Sequence, residues 1–372
     1  MEGTISTKDK ETIIVKAPGR TCLFGDHQDY LELPVIACAI NRFITLKAKK
    51  NANCLLNIDQ PDIGEKRTVD LNKGMIPVEK GDFFMAAIDL LADYGCYPDQ
   101  GYDIVITGNI PINAGTSSSS ALVVAWVEFL ITSFGCDVPV TPNFVAEIAY
   151  QAEVVYHGMP GGKMDQYSIG LGHVIYLETS TPLYYETFEK LIPGLIVGVS
   201  GIPKDTSGVL RELRDKAQLS VLTIKKYLKE FDLSKVSIEN MGSYLAYVPE
   251  DLQVFFVAAV RNHSITQEAL LEFRRPTLDL KKIGALMLKH HGILRDYLNV
   301  TVPLIDNMVD AALEAGAYGA KIVGSGRGGC IVVLSPKDKE DTVIASIRAV
   351  GAKDAFTVQV DSGSVVKKII NN

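Results

Sequence analysis

Two kinds of apolar pattern follow one another along this chain. Short β-branched or continuous apolar runs predict strands at residues 12–16, 43–48, 102–107, 172–177, 191–199 and 331–334. Apolar residues at helical spacing predict helices at residues 83–94, 122–131, 141–156, 211–231, 265–273, 280–298 and 303–313. Strands and helices are therefore expected in both halves of the chain, and a second domain should begin near residues 180–190.

Length and composition narrow the class of protein. At 372 residues the chain is too long for one small core, so two domains are expected. A net charge of −7 without a long basic run argues against nucleic acid as a partner. Residues 1–10 do not resemble a signal peptide, and no apolar run is long enough to span a membrane. We therefore expect a soluble, cytoplasmic protein.

The cysteines and paired histidines do not form a metal-binding pattern. The six cysteines are scattered without the spacing of a zinc site, and most lie beside apolar residues as buried free thiols do. His290 and His291 are adjacent within a predicted helix, so they point to different faces and cannot share one metal ion. We interpret them as structural or surface residues.

The segment from Pro111 to Ala121 has the most distinctive chemical pattern. It reads Pro-Ile-Asn-Ala-Gly-Thr-Ser-Ser-Ser-Ser-Ala and lies between a predicted strand and a predicted helix. Gly115 permits close approach of a ligand, and the unpaired N–H groups and dipole of the helix start favour a phosphate group. A serine hydroxyl would also suit Mg²⁺. The alternative is an ordinary helix start, since serine is a favoured N-cap, but capping requires only one of the four serines.

Three further segments are candidates for ligand binding. Asp26, His27 and Asp29 lie between two apolar segments, where they form either a ligand site or a polar turn. Asp165 follows a run of glycines and is either catalytic or a turn residue. The glycine-rich residues 319–330 lead into a strand and permit close approach to a phosphate or a transferred group.

Taken together, four motifs in this order resemble the GHMP kinase superfamily and its galactokinase-like sugar kinases. The first motif runs from Gly19-Arg20 to Gly25-Asp26-His27-Gln28-Asp29-Tyr30, and the second is the phosphate loop described above. The third piece joins Gly158-Met159-Pro160 to Met164-Asp165-Gln166, with Glu153 upstream, and the last is Lys321 to Cys330. The resemblance spans residues 12 to about 335.

This resemblance implies a fold and an activity. The fold would be α+β with two domains, a ribosomal S5 domain 2-like domain at residues 1–185 and a ferredoxin-like domain at residues 186–372, with the nucleotide between them. The activity would be ATP- and Mg²⁺-dependent phosphorylation of the anomeric hydroxyl of galactose or a related monosaccharide. The expected assembly is a monomer or weak homo-oligomer, with no nucleic-acid or membrane partner.

The resemblance also implies residue roles. Asp165 would be the catalytic carboxylate, with Arg20 beside it to neutralise charge on the phosphoryl group in flight. Asp26, His27, Asp29 and Gly162 would bind the sugar, and Ser119 and Glu153 would bind the metal, with Ser118 as the other candidate. The residues implied for nucleotide binding are Pro111, Ala114, Gly115, Thr116, Ser117, Ser118, Ser119, Ser120, Gly324 and Gly326.

Departures from the galactokinase pattern leave two alternatives open. Asp26 replaces the usual Glu, residues 34–40 look more like mevalonate kinase, and residues 205–211 lack the expected Ser-Glu-Tyr and paired arginines. The protein could phosphorylate a non-sugar alcohol such as mevalonate, or be a non-catalytic sugar sensor. Arg20 with Asp29 favours a sugar, and the intact phosphate loop favours an enzyme. Lys163 either binds an acidic substituent of the substrate or is a solvated lysine in a loop.

Overall fold

The computed structural model describes residues 11–73, 77–203 and 207–370. The strands are β1 (Glu11–Phe24), β2 (Val35–Lys50), β3 (Leu55–Gln60), β4 (Glu65–Asp70), β5 (Tyr102–Gly108), β6 (Val174–Glu178), β7 (Tyr184–Phe188), β8 (Leu195–Val199), β9 (Gly319–Val323), β10 (Cys330–Leu334), β11 (Asp354–Thr357) and β12 (Val365–Ile370). The helices are α1 (Phe83–Ala92), α2 (Ser118–Phe134), α3 (Pro142–Tyr150), α4 (Met164–Leu171), α5 (Ser207–Tyr227), α6 (Glu250–Phe273), α7 (Leu280–Asp296), α8 (Pro303–Glu314) and α9 (Glu340–Ala349).

Strands from the first half of the chain, together with β12, form an eight-stranded sheet. Its main order is β12-β1-β2-β5-β3-β4, and β6 pairs with β2 and with β7. The predicted strands 12–16 and 43–48 are each part of a longer strand, because apolar residues continue to be buried beyond those limits. A register shift at Pro18/Gly19 lets β1 bend while it continues toward Phe24. The first sequence motif thus begins inside a strand rather than in a turn.

The long helix α2 packs on this sheet. Its residues Trp126 and Phe129 are fully buried, and the indole N–H of Trp126 donates to the Phe84 carbonyl at 3.0 Å. This packing fixes the direction of α2, so the start of the helix at Ser118 is held at one end of the sheet. The phosphate loop therefore rests on a rigid support.

A second, four-stranded antiparallel sheet has the order β11-β8-β10-β9. Helices α8 and α9 pack on it around Ile305, Met308 and Ile347. Strands β9 and β10 form a hairpin whose connecting loop holds the fourth sequence motif. The hairpin carries this glycine-rich loop toward β1 of the first sheet.

The domain boundary predicted between residues 185 and 186 stays a prediction, and two strand pairings cross it. That boundary falls inside β7, which pairs with β6 of the first sheet. Strand β12, from the predicted C-terminal domain, pairs with β1 of the first sheet. Asp205 and Thr206, in the segment that departs from galactokinases, lie outside the described residues. Across the described chain, every helix is too short or too polar to traverse a lipid bilayer.

Candidate active site

A cavity of about 240 Å³ brings together residues from all four motifs. The predicted residues along its wall are Arg20, Asp26, His27, Asp29, Ser119, Ser120, Glu153, Gly162, Asp165 and Gly324. These residues come from β1 and the turn after it, the start of α2, the segment between α3 and α4, the first turn of α4, and the β9–β10 loop. The cavity is therefore the meeting point of segments that are far apart in the sequence.

An ion pair on the cavity wall joins Arg20 to Asp165. Arg20 Nε donates to Asp165 Oδ1 at 2.8 Å, and a second guanidinium nitrogen lies 2.6 Å from the same oxygen. The sequence placed Asp165 in a glycine-rich loop, whereas the structure has it in the first turn of α4. The side chain of Arg20 is 2% exposed and that of Asp165 is 28% exposed. The carboxylate of the pair is therefore accessible from the cavity, whereas the guanidinium is buried.

Arg20 also ties β1 to the phosphate loop. Its Nη1 donates to the Gly115 carbonyl, and its backbone N–H donates to the Thr116 carbonyl at 3.2 Å. A side chain at Gly19 would place its Cβ 2.9 Å from the Thr116 carbonyl oxygen, which explains the glycine there. Burial alone would lower the pKa of Arg20, but the Asp165 carboxylate outweighs it and raises that pKa. The guanidinium is thus permanently charged.

The start of α2 is not an ordinary serine cap. Ser117 has a positive φ of 57° and does not cap the helix with its side chain. Its hydroxyl instead donates to Asp165 Oδ2 at 2.5 Å. The N–H groups of the first turn of α2 lack intrahelical partners, as at any helix start, so the turn can accept an anion. The alternative of simple capping is therefore wrong for Ser117.

The other predicted nucleotide residues differ in accessibility. Ser119 is exposed and Ser120 is buried, and both line the cavity. Pro111 and Ser118 are half-buried, and Ala114, Gly115 and Thr116 are buried. Gly115, with φ of 88°, packs so closely on β9 that a Cβ would lie 2.9 Å from the Val323 carbonyl oxygen. The buried residues shape the loop, and the serines present its donors.

Gly324 and Gly326 lie in different surroundings. Gly324 is at the cavity wall. A Cβ on Gly326 would meet the Val300 carbonyl oxygen at 2.5 Å, so this glycine packs against the segment before α8. Gly326 does not line the cavity, and its role in nucleotide binding stays a prediction.

Glu153 faces the phosphate loop from a short π-helix, Gln151–Val155, that continues α3. Burial is the main cause of the raised pKa of its carboxyl, which the hydroxyls of Ser119 and Ser120 partly counteract. Gln166 donates to Glu153 Oε2 at 2.6 Å. A carboxylate and a hydroxyl are oxygen donors of the kind that Mg²⁺ accepts, so Glu153 and Ser119 fit the predicted metal.

The protein alone would not complete such a metal site. Within residues 11–73, 77–203 and 207–370, no cluster of three or more His, Cys, Asp or Glu side chains is arranged to hold a metal ion. Mg²⁺ commonly binds through one or two protein groups together with substrate phosphates and water. Glu153 and Ser119 are consistent with that arrangement.

Asp29 lies in a short turn after β1 and is packed against Gly162. A Cβ on Gly162 would lie 2.1 Å from Asp29 Oδ2, so any larger residue would displace the carboxyl. Burial and the charge of Asp165 raise the pKa of Asp29 to about 7. Asp29 Oδ1 accepts a hydrogen bond from the Tyr30 N–H at 3.0 Å. The carboxyl can therefore hold a proton near neutral pH.

Asp26 has partners of its own within the protein. Lys321 Nζ donates to Asp26 Oδ2 at 2.5 Å, and the Gly324 N–H donates to Asp26 Oδ1 at 2.6 Å. Burial would raise the pKa of Asp26, but Lys321 and His290 outweigh it and lower that pKa to about 2. Both oxygens are engaged and the side chain is 0% exposed, which argues against the predicted contact of Asp26 with a sugar hydroxyl. The sequence reasoning missed Lys321, whose only signal is one lysine inside a strand of small and apolar residues.

His27 differs in its surroundings from the paired histidines His290 and His291. His27 lines the cavity with a positive φ of 62°, and its Nδ1 lies 3.2 Å from the Tyr30 hydroxyl. His27 Nε2 is buried, and the backbone of Gly324 and Ser325 lies beside the imidazole ring. His290 and His291 are buried in the core, and His290 stacks on Phe24 with centroids 6.3 Å apart. The interpretation of the paired histidines as structural is thereby confirmed.

Comparison with known proteins assigns the family. Residues 82–173 match the GHMP kinases N terminal domain, residues 267–353 the GHMP kinases C terminal domain, and residues 5–50 the galactokinase galactose-binding signature. A galactokinase of Haemophilus influenzae is 31% identical over 377 residues, covering 96% of this chain and 95% of that protein. A mevalonate kinase of Thermococcus sibiricus is 27% identical over 367 residues, covering 96% of this chain and 99% of that protein.

Solved structures show the same fold. The structure of Lactococcus lactis galactokinase complexed with galactose superposes with a TM-score of 0.85 at 24% identity, covering 96% of this chain and 95% of that one. The mevalonate kinase of Methanococcus jannaschii gives a TM-score of 0.70 at 20% identity, covering 97% and 99%. The predicted fold class is therefore confirmed. The chain belongs to the GHMP kinases and is a galactokinase-like member of that family.

Proposed function

We propose that the protein transfers the γ-phosphoryl group of ATP to the anomeric hydroxyl of galactose or a closely related monosaccharide, forming a sugar 1-phosphate. The observation that carries this proposal is the Arg20–Asp165 pair, which lies in one cavity with Asp29, His27 and the start of α2. Phosphoryl transfer depends mainly on positioning and on stabilising charge, and this arrangement supplies both.

The roles of the residues follow from their chemistry. The exposed carboxylate of Asp165 orients the attacking hydroxyl and accepts its proton as the new bond to phosphorus forms. The bond between the γ-phosphorus and the bridging oxygen breaks, and ADP leaves. Arg20 and the N–H groups at the start of α2 stabilise the negative charge on the phosphoryl oxygens during transfer.

Mg²⁺, held by Glu153 and Ser119 together with the phosphates, would neutralise charge on the nucleotide. Glu153 and Ser119 lie on the same side of the cavity as the start of α2, since Ser119 is in its first turn. The cavity thus has a phosphate side, formed by Glu153, Ser119 and the start of α2, and a sugar side, lined by Asp29 and His27.

The polar groups on the latter side favour a sugar over mevalonate. The Asp29 carboxyl and the His27 imidazole are short polar groups on the cavity wall that suit hydroxyls, and a site built for hydroxyls rejects analogues that lack them. The galactose-binding signature at residues 5–50 supports the same choice. Lys163 does not belong to the cavity wall and lies 5.6 Å from the ring centre of Tyr150, which favours its reading as a loop lysine.

The test is ADP release with Mg-ATP across a panel of monosaccharides, uronic acids and mevalonate. We expect turnover with galactose or a relative, loss of turnover in Asp165→Asn, and a 1-phosphate by phosphorus NMR. Turnover of mevalonate alone would overturn the sugar assignment. Sugar binding without ATP consumption would favour the non-catalytic sensor instead. The cytoplasmic location and the monomeric or weakly oligomeric state remain part of the proposal.

A further inference from the structure

A fully buried lysine joins the first and last motifs at the cavity. Lys321 Nζ donates to Asp26 Oδ2 at 2.5 Å, to the Cys22 carbonyl at 3.1 Å and to the Ile322 carbonyl at 2.7 Å. An ammonium group has three hydrogens, and each has an acceptor here. The side chains of Lys321 and Asp26 are both 0% exposed. The charge is therefore completely compensated inside the protein.

These contacts cross between the two sheets. Cys22 lies near the end of β1 in the first sheet, and Ile322 lies on β9 in the second. Asp26, which follows β1, accepts the Gly324 N–H at 2.6 Å and so holds the loop after β9 as well. We call Cys22, Asp26, Lys321, Ile322 and Gly324 the Lys321 clamp. It closes a loop in the chain of almost 300 residues, since Asp26 and Lys321 are 295 positions apart.

The clamp is directly attached to a predicted sugar-binding residue. His27 follows Asp26, has a left-handed backbone conformation and borders the backbone of Gly324 and Ser325. Asp26 itself has two partners, the Lys321 ammonium and the Gly324 N–H. Because Asp26 is fixed to both sheets, the peptide unit after it cannot shift without breaking the clamp.

We propose that Lys321 is a positioning residue, which acts through Asp26 to set the place of His27 on the sugar side of the cavity. The inference rests on the proposed function and assigns Asp26 to this clamp rather than to the sugar. A phosphate-side role is not expected, since Glu153 and Ser119 belong to other segments.

The test compares two variants with a matched control. Asp26→Asn combined with Lys321→Met removes both charges and leaves neither one unpaired, which is commonly tolerated in a buried pair. Lys321→Arg keeps the charge but replaces a compact ammonium by a larger planar group. The control combines Glu186→Gln with Arg274→Met, a partly exposed ion pair that joins β7 to the residue after α6, away from the cavity wall.

For both clamp variants we expect the KM for the sugar to rise at least tenfold, with the KM for ATP within twofold of the wild type. The control should leave both constants unchanged. A folded clamp variant with the wild-type KM for the sugar would overturn the proposal. So would Lys321→Met alone raising the KM for the sugar while the double variant restores both stability and KM, because the role would then be structural only.

Hydrogen exchange separates this inference from the proposed function. In the absence of substrate, the clamp predicts that the Gly324 amide is protected in the wild type and exchanges faster in the double variant. Unchanged exchange across residues 324–329 would contradict the clamp. Absence of sugar-dependent ADP release by the wild type would contradict the proposed function, and the exchange measurement would still decide the clamp.

Discussion

Two ion pairs flank the same cavity, and they differ in what they expose. Arg20 and Asp165 hold a carboxylate that is 28% exposed, whereas Lys321 and Asp26 are both sealed from solvent. In the Arg20–Asp165 pair, which we call the open pair, the carboxylate is accessible to a substrate. In the Lys321–Asp26 pair, which we call the sealed pair, all three ammonium hydrogens are donated to oxygens of the protein. Exposure of the carboxylate thus distinguishes the pair for which we propose a catalytic role from the pair for which we propose a positioning role.

The largest expected effect comes from Asp165→Asn. The amide cannot accept the proton, so we expect the rate of ADP release to fall roughly 10³-fold. The buried Arg20 loses its counter-charge, but the amide oxygen can still accept its hydrogen bond, so we expect the thermal unfolding temperature to fall less than it does in Lys321→Met. The two values are measured on the same preparation by coupled assay and by calorimetry. A variant that unfolds would break the comparison, since the open pair would then be structural.

Lys321→Met should mainly lower the stability of the protein. It leaves the Asp26 carboxylate buried without its cation, which is expected to lower the free energy of unfolding by about 3–5 kcal/mol. Urea denaturation followed by circular dichroism measures this loss. The matched control is Lys368→Met, since Lys368 is half exposed and lies 3.9 Å from Glu11 in a pair that should contribute little. Equal losses in the two variants would contradict the sealed character of the Lys321–Asp26 pair.

Glu153→Gln sharpens the comparison on the phosphate side. If Glu153 binds Mg²⁺, the variant should need at least roughly tenfold more Mg²⁺ for half-maximal activity, the lower end of the loss seen for outer-shell partners. Chelation should abolish wild-type activity, and added Mg²⁺ should restore it. The measurement is a Mg²⁺ titration of ADP release at fixed ATP. An unchanged requirement would remove Glu153 from the metal site.

A further expected effect concerns the pH dependence of stability set by Asp29. Its pKa is about 7 in the folded protein and close to 3.8 in an ordinary environment, so unfolding releases a proton between these values. The stability contributed by Asp29 should therefore decrease as the pH rises from about 4 to about 7 and change little above that. Asp29→Asn should flatten this part of the stability profile, measured by urea midpoints across the range. A profile identical to that of the wild type would contradict the raised pKa.

The sequence predicted which residues line the cavity better than it predicted the buried contacts that support them. Arg20 and Asp165 are 145 positions apart, and only the resemblance to a known family brought them together in advance. The Lys321–Asp26 pair has no local signal, because a buried ion pair depends on packing between distant segments. The serine-rich loop was recognisable because phosphate binding at a helix start depends on local residues alone.

Errors in the secondary-structure prediction have similar physical causes. The helix α6 begins at Glu250, but only residues 265–273 were predicted, because the residues from Leu252 to Val260 are rich in aromatic and β-branched types that also suit strands. Strand β12 was missed since Val-Val-Lys-Lys-Ile-Ile does not alternate between polar and apolar residues. In both cases tertiary packing decides what local preference leaves open.

The pairing of β12 with β1 has a consequence for how the protein is made. Glu11 lies opposite Ile370 and Lys16 opposite Val365, so the outer neighbour of β1 is synthesised more than 340 residues after it. Until residues 365–370 emerge from the ribosome, β1 has one edge whose backbone N–H and C=O groups are unpaired. Such edges are sites of mispairing and aggregation in nascent chains. The strand that contains Arg20 is therefore the one whose protection depends on translation proceeding to residue 370.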